Sequence, residues 1–312
     1  MQYLVMIQGQ TFTAMLQEIT VKSILNKAKH RDSWFLDSYT INPYSGCSFN
    51  CLYCYIRGSK YGSNMEQKVS VKSNALELLE KQLALRARKN QYGFIVLSSA
   101  TDPYLQFEKD LQLTRRILEL ILQFRFPVHI ITKSELVTRD LDLLAAIDKS
   151  AILPPDLQQS PGRGTIISFS FSTVDDAIGK IFEPGAPAPS ARLETMKLVS
   201  KNGFLTGVSM MPLLPYISDT GTHLEAMLSS FKEAEAHYAL PSTITLFGTG
   251  QSDSRTLVFR AVEKHYPHLL DKYKRLFSEN TGLPNYYWQA FGDKMKELAQ
   301  KYDLRNRICT LG

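Results

Sequence analysis

Residues 38–55 read SYTINPYSGCSFNCLYCY, a short β-rich run that opens into an aromatic loop carrying Cys47, Cys51 and Cys54, three of the chain's four cysteines. Three thiols crowded into one loop cannot all pair with each other, so they do not make a disulfide scaffold. In a reducing compartment such clusters bind metal instead. The fourth cysteine, Cys309, lies far downstream and reads as an ordinary free thiol.

Outward from that loop, SYTIN (38–42) is the first of six apolar strand candidates, followed by FIVLSS (94–99), VHIITK (128–133), TIISFSFS (165–172), LTGVSMM (205–211) and TITLFG (243–248). Segments of helical period lie between them at 73–89, 112–124, 139–148, 190–202 and 222–238. Strand followed by helix, repeated, predicts a parallel sheet with right-handed crossovers. About six such units suit an α/β fold of the partial (β/α)6, TIM-like barrel type better than a closed eightfold one. The division expected is an N-terminal extension over 1–37, a barrel core over 38–250 and a C-terminal extension over 251–312, with both extensions helical. EPGAPAPS (183–190) reads as a stiff loop ahead of a helix.

Parallel sheets gather ligand-binding residues at the C-terminal ends of their strands. The polar residues at those ends are Ser98, Ser99, Thr101 and Asp102 after the second strand, and Lys133 and Ser134 after the third. Ser168, Ser170 and Ser172 lie along the fourth. The cysteine loop follows the first strand in the same way, so one rim should carry them all.

At 312 residues, with 44% hydrophobic and 21% charged side chains, the composition is that of a soluble globular chain. The opening MQYLVMIQGQTF lacks a basic n-region, and no run approaches a membrane span, so cytoplasm is the expected compartment. The net charge of +6 is confined to the first 90 residues, which carry 12 Lys and Arg against 6 Asp and Glu. Lys22, Lys27, Lys29, Arg31, Arg57, Lys60, Lys68 and Lys72 surround the cysteine loop and suit either an anionic partner or a solvated surface. Tyr44, Phe49, Tyr53, Tyr55 and Tyr61 interleave with Arg57 and Lys60, a mixture that serves nucleic-acid stacking or the shielding of a metal centre.

The cysteines follow C-x3-C-x2-C. Structural zinc and ferredoxin clusters want four protein ligands. Three leave one iron of a [4Fe–4S] cluster open, and an open iron binds a small molecule and does chemistry on it. CSFNCLYC, with aromatic Tyr53 before the last cysteine, resembles the cluster motif of the radical S-adenosylmethionine superfamily. NPYSGCSFNCLYCYIR, SSATDPYLQFEKDLQLTRRILE, HIITKSELVTRDLDLL and EPGAPAPSARLETMKLVSKNGF, in that order, resemble its spore photoproduct lyase-like branch, often labelled DNA repair photolyase-related.

The resemblance implies a [4Fe–4S] cluster on Cys47, Cys51 and Cys54 whose open iron chelates S-adenosylmethionine. It also implies reductive cleavage to methionine and a 5′-deoxyadenosyl radical, and a reductant such as flavodoxin or ferredoxin. The reaction implied is a lyase or modification reaction, with nucleic acid among the candidate substrates. It places Tyr53 against the adenine, Ser99, Thr101 and Asp102 toward the methionine amino group, and Lys133 and Ser134 at the carboxylate or ribose. Ser168 or Ser170 would touch the ribose or carboxylate, Arg192 the carboxylate, and Met211 with Leu213 the adenine wall. Plainer readings stand beside these. Ser168 and Ser170 alternate with phenylalanines as in any half-buried strand, and Arg192 has Glu194 or Glu183 as surface partners. Met211 suits a core, and Asp102 a turn cap before Pro103.

One departure bears on chemistry. In spore photoproduct lyases a cysteine three residues before an aspartate returns a hydrogen atom to the repaired thymine. In SSATD that place falls on Ser99, whose O–H bond is too strong for the task. Tyr53 or Tyr55 offers a phenol instead, and the chain is not expected to be an efficient spore photoproduct lyase. A non-catalytic iron–sulfur or zinc module and a nucleic-acid-binding scaffold are the alternative readings.

Overall fold

Six strands form one parallel sheet in sequential order: β1 (Tyr39–Ile41), β2 (Ile95–Leu97), β3 (Val128–Thr132), β4 (Thr165–Ser170), β5 (Leu205–Leu213) and β6 (Ala239–Thr243). A computed structural model supplies this structure, which describes residues 2–7, 10–58, 69–278 and 281–309, with the backbone alone for 2–15. Asn26–Lys27 pairs antiparallel on the outer edge of β1. Sequential order without reversal is the arrangement of a partial (β/α)6 barrel. Among the described residues no helix is long and apolar enough to cross a membrane.

The helices α1 (Ala75–Arg88), α2 (Leu113–Gln123), α3 (Leu141–Ser150), α4 (Asp176–Phe182), α5 (Pro189–Lys201) and α6 (Gly221–Glu233) connect the strands. Their apolar positions fall at helical spacing, Leu79 and Leu83 in α1, and Leu113, Ile117, Leu118 and Ile121 in α2, and these residues are buried. Each strand alternates. Val128 and Ile130 of β3 join the core shared with these helices, whereas His129, Ile131 and then Lys133 take the opposite face, the lumen.

Beyond the barrel come α7 (Ser254–His265), α8 (Leu270–Leu276) and α9 (Asn285–Lys301). They share cores with the barrel: Phe291, Met295 and Leu298 of α9 join the helix layer. Val258 and Tyr273 pack in one cluster with Tyr53, Phe182 and Leu214.

Two expectations are corrected. The N-terminal extension is β rather than helical among the described residues, beginning with the antiparallel pair Gln2–Ile7 and Gln10–Met15. The sixth strand lies at Ala239–Thr243, upstream of the expected 243–248. Pro241 argues against a central strand, but β6 is an edge strand, where a missing N–H is tolerated. Ile244 and Leu246 are buried as expected, yet in irregular backbone that bonds Leu246 N to Thr281 O at 2.7 Å.

Candidate functional site

The cysteine loop leaves β1 at its C-terminal end and is stapled from within. Arg57 is fully buried, donating from Nε to Cys51 O at 2.9 Å, from Nη1 to Ser252 O at 3.1 Å, and from Nη2 to Asn50 Oδ1. It is therefore a loop staple and not part of a solvated basic face. Tyr44 and Phe49 are buried as well, Tyr44 donating its hydroxyl to buried Glu108. Lys60, Tyr61 and Lys68 lie outside the described residues. Among the described aromatics of this loop only Tyr55 is exposed, at 55%. Of the two readings of this aromatic set, the burial of Tyr44, Phe49 and Tyr53 supports shielding over base stacking.

The segment after α4 clasps the loop from outside. Leu52 N donates to Phe182 O at 2.9 Å, and Gly185 N to Phe49 O at 3.0 Å. A Cβ on Gly185 would stand 2.2 Å from Ser48 O, so only glycine allows this approach. Between these contacts sits Glu183, 1% exposed. It accepts from Tyr53 Oη, from Ser172 Oγ at 2.8 Å and from Arg192 Nη2, with Lys133 Nζ 3.7 Å away. Lys133 also lies 5.9 Å above the centre of the Tyr53 ring. Burial pushes the Glu183 carboxyl up, but the opposing pull of Arg192, Lys133 and the Tyr53 hydroxyl prevails and holds it at about 2.

Arg192 itself is 1% exposed. Besides Glu183 it donates to Pro187 O from Nε at 2.9 Å and to Ser170 O from Nη1 at 2.9 Å. With those commitments it is a buried structural cation, neither a surface residue nor a free ligand for a carboxylate. The sequence offered Glu183 only as a surface partner; an acid directly before a proline, where a helix gives way to a stiff loop, was the one signal it left.

Other expected site residues separate by depth. Ser168 lies one layer below the rim, fully buried between His129 Nε2 and Tyr238 Oη, each at 2.7 Å. Burial lowers His129 to about 4, so the ring is neutral, and its Nδ1 faces Phe35 O at 2.9 Å. A carbonyl only accepts, so Nδ1 carries the proton, Ser168 donates to Nε2, and Tyr238 donates to Ser168. With both hydroxyl roles spent, Ser168 belongs to the barrel floor. Asp102 is likewise occupied, accepting from Tyr104 N at 2.9 Å, Thr132 Oγ1 at 2.7 Å and Lys133 N at 2.8 Å. It ties the β2 loop to the end of β3. Ser134 caps the short helix Glu135–Asp140 by accepting from Leu136 N at 3.3 Å.

What remains is Lys133, half-buried Ser170, Met211, which is partly buried against the apolar cluster of Leu205, Tyr238 and Leu240, and the turn after β2. There the hydroxyls of Ser98 and Thr101 are buried without a hydrogen-bond partner among the described residues. Such groups are costly unless a ligand satisfies them. Ser98 was singled out only as a strand-end residue, and its empty hydroxyl is visible only in three dimensions. Ser99 is exposed at the mouth, where Asn42 Nδ2 reaches its hydroxyl at 3.2 Å and Tyr55 Oη donates to its carbonyl. Tyr55 and Ser99 are therefore neighbours, whereas the Tyr53 phenol is buried and engaged.

The donor set suits a cluster. Cys47, Cys51 and Cys54 are free thiols. Burial pushes all three up, Cys51 to about 12, so each would lose its proton on metal binding. Among the described residues no three His, Cys, Asp or Glu side chains are arranged to hold a single metal ion. A tetrahedral zinc site takes four donors around one ion, whereas a cubane asks each cysteine for a separate iron.

The Radical SAM superfamily model matches residues 41–226, more than half of the chain, from the last residue of β1 into α6. The chain belongs to the radical SAM superfamily. Members of this superfamily bind a [4Fe–4S] cluster and S-adenosylmethionine, and the chain is a radical SAM enzyme. An uncharacterized protein of Mycobacterium tuberculosis is 28% identical over 294 residues, covering 92% of this chain and 81% of the relative. One of Methanocaldococcus jannaschii is 30% identical over 188 residues, 58% of this chain and 62% of the relative. Spore photoproduct lyase complexed with dinucleoside spore photoproduct shares the fold at TM-score 0.62 and 16% identity, covering 92% of this chain and 79% of its own. Streptococcus suis SuiB bound to precursor peptide SuiA matches at TM-score 0.51 and 10% identity, with 87% of this chain and 47% of its own covered.

Proposed function

We propose that Cys47, Cys51 and Cys54 hold the cluster and that the lumen beside them takes S-adenosylmethionine, for a lyase or modification reaction on a substrate entering at the mouth. The observation that carries this reading is three free thiols on one loop at the end of β1, bordered by a lumen cation and two unsatisfied hydroxyls. Lys133, Thr101, Ser98 and Ser170 would supply its polar contacts and Met211 an apolar wall. When bound, the reduced cluster supplies the electron that cleaves S-adenosylmethionine to methionine and a 5′-deoxyadenosyl radical, which takes hydrogen from substrate.

The chain's own residues orient and shield. Tyr53, Phe182 and Leu214 pack one side of the loop within an apolar cluster, which excludes water. Tyr55 stands at the mouth with its hydroxyl beside Ser99, the place where the related lyases carry a hydrogen-returning cysteine. Its phenol O–H is weaker than the serine's, so Tyr55 is the residue to return a hydrogen atom to a product radical, and the tyrosyl radical left on it would be restored by one electron from the external reductant and a proton from solvent. The two structural neighbours, one complexed with a dinucleoside spore photoproduct and the other with a precursor peptide, leave nucleic acid and peptide as substrate classes to test.

The test is anaerobic reconstitution with iron and sulfide, then incubation with S-adenosylmethionine, reductant and spore-photoproduct dinucleotide. 5′-Deoxyadenosine without thymidine is expected. Absence of 5′-deoxyadenosine with a fully loaded cluster refutes the cofactor reading, and clean multiple-turnover return to thymidines refutes the reading of Ser99.

A further inference from the structure

Glu183 has no part in ligating the cluster, yet it is the point where four segments of the site meet. Its side chain is fully buried and takes Tyr53 from the cysteine loop, Lys133 from the end of β3, Ser172 from just after β4 and Arg192 from α5. On either side of it the backbone is stitched to the same loop, Phe182 O to Leu52 N and Gly185 N to Phe49 O. A buried carboxylate among one arginine and one lysine leaves one positive charge uncompensated beside the loop. Arg192 is committed to Glu183, Pro187 and Ser170, so the excess charge resides on Lys133, 11% exposed at its side chain and facing the lumen.

We propose that Glu183 is a positioning residue of the cofactor site, anchoring the Lys133 ammonium and the Tyr53 ring beside the cysteine loop and countering their surroundings with its own charge, so that it sets both the cluster's potential and the reach of Lys133. The inference rests on the cluster reading given above. A negative charge near the loop disfavours adding an electron to the cluster, and a positive one favours it.

The experiment uses the full chain, reconstituted anaerobically, comparing E183Q, K133M and wild type. Cluster midpoint potential is read by anaerobic redox titration and S-adenosylmethionine binding by equilibrium dialysis. E183Q is expected to shift the potential upward and K133M downward, and each to weaken binding about tenfold. A residue that merely supports the fold would not move two potentials in opposite directions. Shifts of the same sign, or a fully loaded E183Q with wild-type potential and affinity, overturn the proposal. E183Q strands the Arg192 charge; the pair E183Q/R192Q does not, and there binding weakens as in E183Q while the potential stays near wild type. Wild-type affinity in that pair also overturns the anchoring of Lys133. A wild-type chain that takes up no cluster refutes the cluster reading and this inference with it, whereas normal loading with unmoved variants refutes this inference alone.

Discussion

Replacing Arg192 by Met should be the most destabilising single change at the site, and its cost should depend on pH in a stated direction. The variant strands Glu183, whose side chain is fully buried. Removing one partner of a buried pair costs about 3–5 kcal/mol, because the other charge stays desolvated. The acid dependence follows from linkage. The Glu183 carboxyl titrates at about 2 in the folded chain against an ordinary 4.5, which corresponds to roughly 3 kcal/mol of stability. Because the folded value is the lower one, that stability is present above 4.5 and is lost as pH falls toward 2. Without Arg192 most of it is absent at neutral pH already. Asp102 and Glu108, both pushed up by burial, contribute with the opposite sign, but they are common to both chains and cancel in the difference. Urea unfolding of the metal-free protein, followed by circular dichroism from pH 7 downward, reads the gap. It should be several kcal/mol at pH 7 and narrow on acidification. The double variant E183L/R192M should cost less than R192M alone, since no charge is stranded. A gap under about 1 kcal/mol, a gap independent of pH, or strict additivity in the double variant would show that the pair is not a buried unit.

Replacing Cys47, Cys51 or Cys54 by Ala should abolish the broad visible absorption of the reconstituted protein, while Cys309→Ala leaves it unchanged; equal loss at Cys309 would indicate a four-cysteine site. Lys133→Ala should weaken S-adenosylmethionine binding about tenfold with a normal cluster spectrum, and simple unfolding of this variant would assign the lysine to structure. Gly185→Ala drives a Cβ to 2.2 Å from Ser48 O and must displace backbone next to Cys47. It should cost about 1–3 kcal/mol and lower iron content per chain, so iron loading equal to wild type would refute the clasp. Tyr55→Phe should leave 5′-deoxyadenosine formation in place while reducing turnover to closed-shell product, and undiminished turnover would exclude Tyr55 as hydrogen donor.

The alternation of strand and helix and the three-cysteine loop after the first strand were legible in the sequence, because periodicity and spacing are local properties of the chain. Five of the six strands and five of the six connecting helices fall where their apolar period puts them, and α4 (Asp176–Phe182) was not expected. The sixth slipped upstream because whether Pro241 is tolerated depends on which strand lies at the sheet edge, a fact of topology rather than of local sequence. The N-terminal extension came out as strand for a related reason, since short pairings such as Gln17–Ile19 with Ser70–Lys72 need a distant partner to exist.

Charge was the least legible feature. Arg57 reads as one of many surface cations, yet it is fully buried because Cys51, Asn50 and distant Ser252 together satisfy it. Ser168 and Ser170 are equivalent in an alternating strand, and only the barrel decides that Ser168 is fully buried between His129 and Tyr238 while Ser170 is half-buried. The sequence by itself determined the barrel, the superfamily and the thiols that suit its cluster, since each is encoded by local pattern. The tertiary structure alone decided that Glu183 gathers Tyr53, Lys133 and Arg192, because a buried carboxylate is stable only where donors from separate segments converge on it, and no segment of sequence carries that convergence.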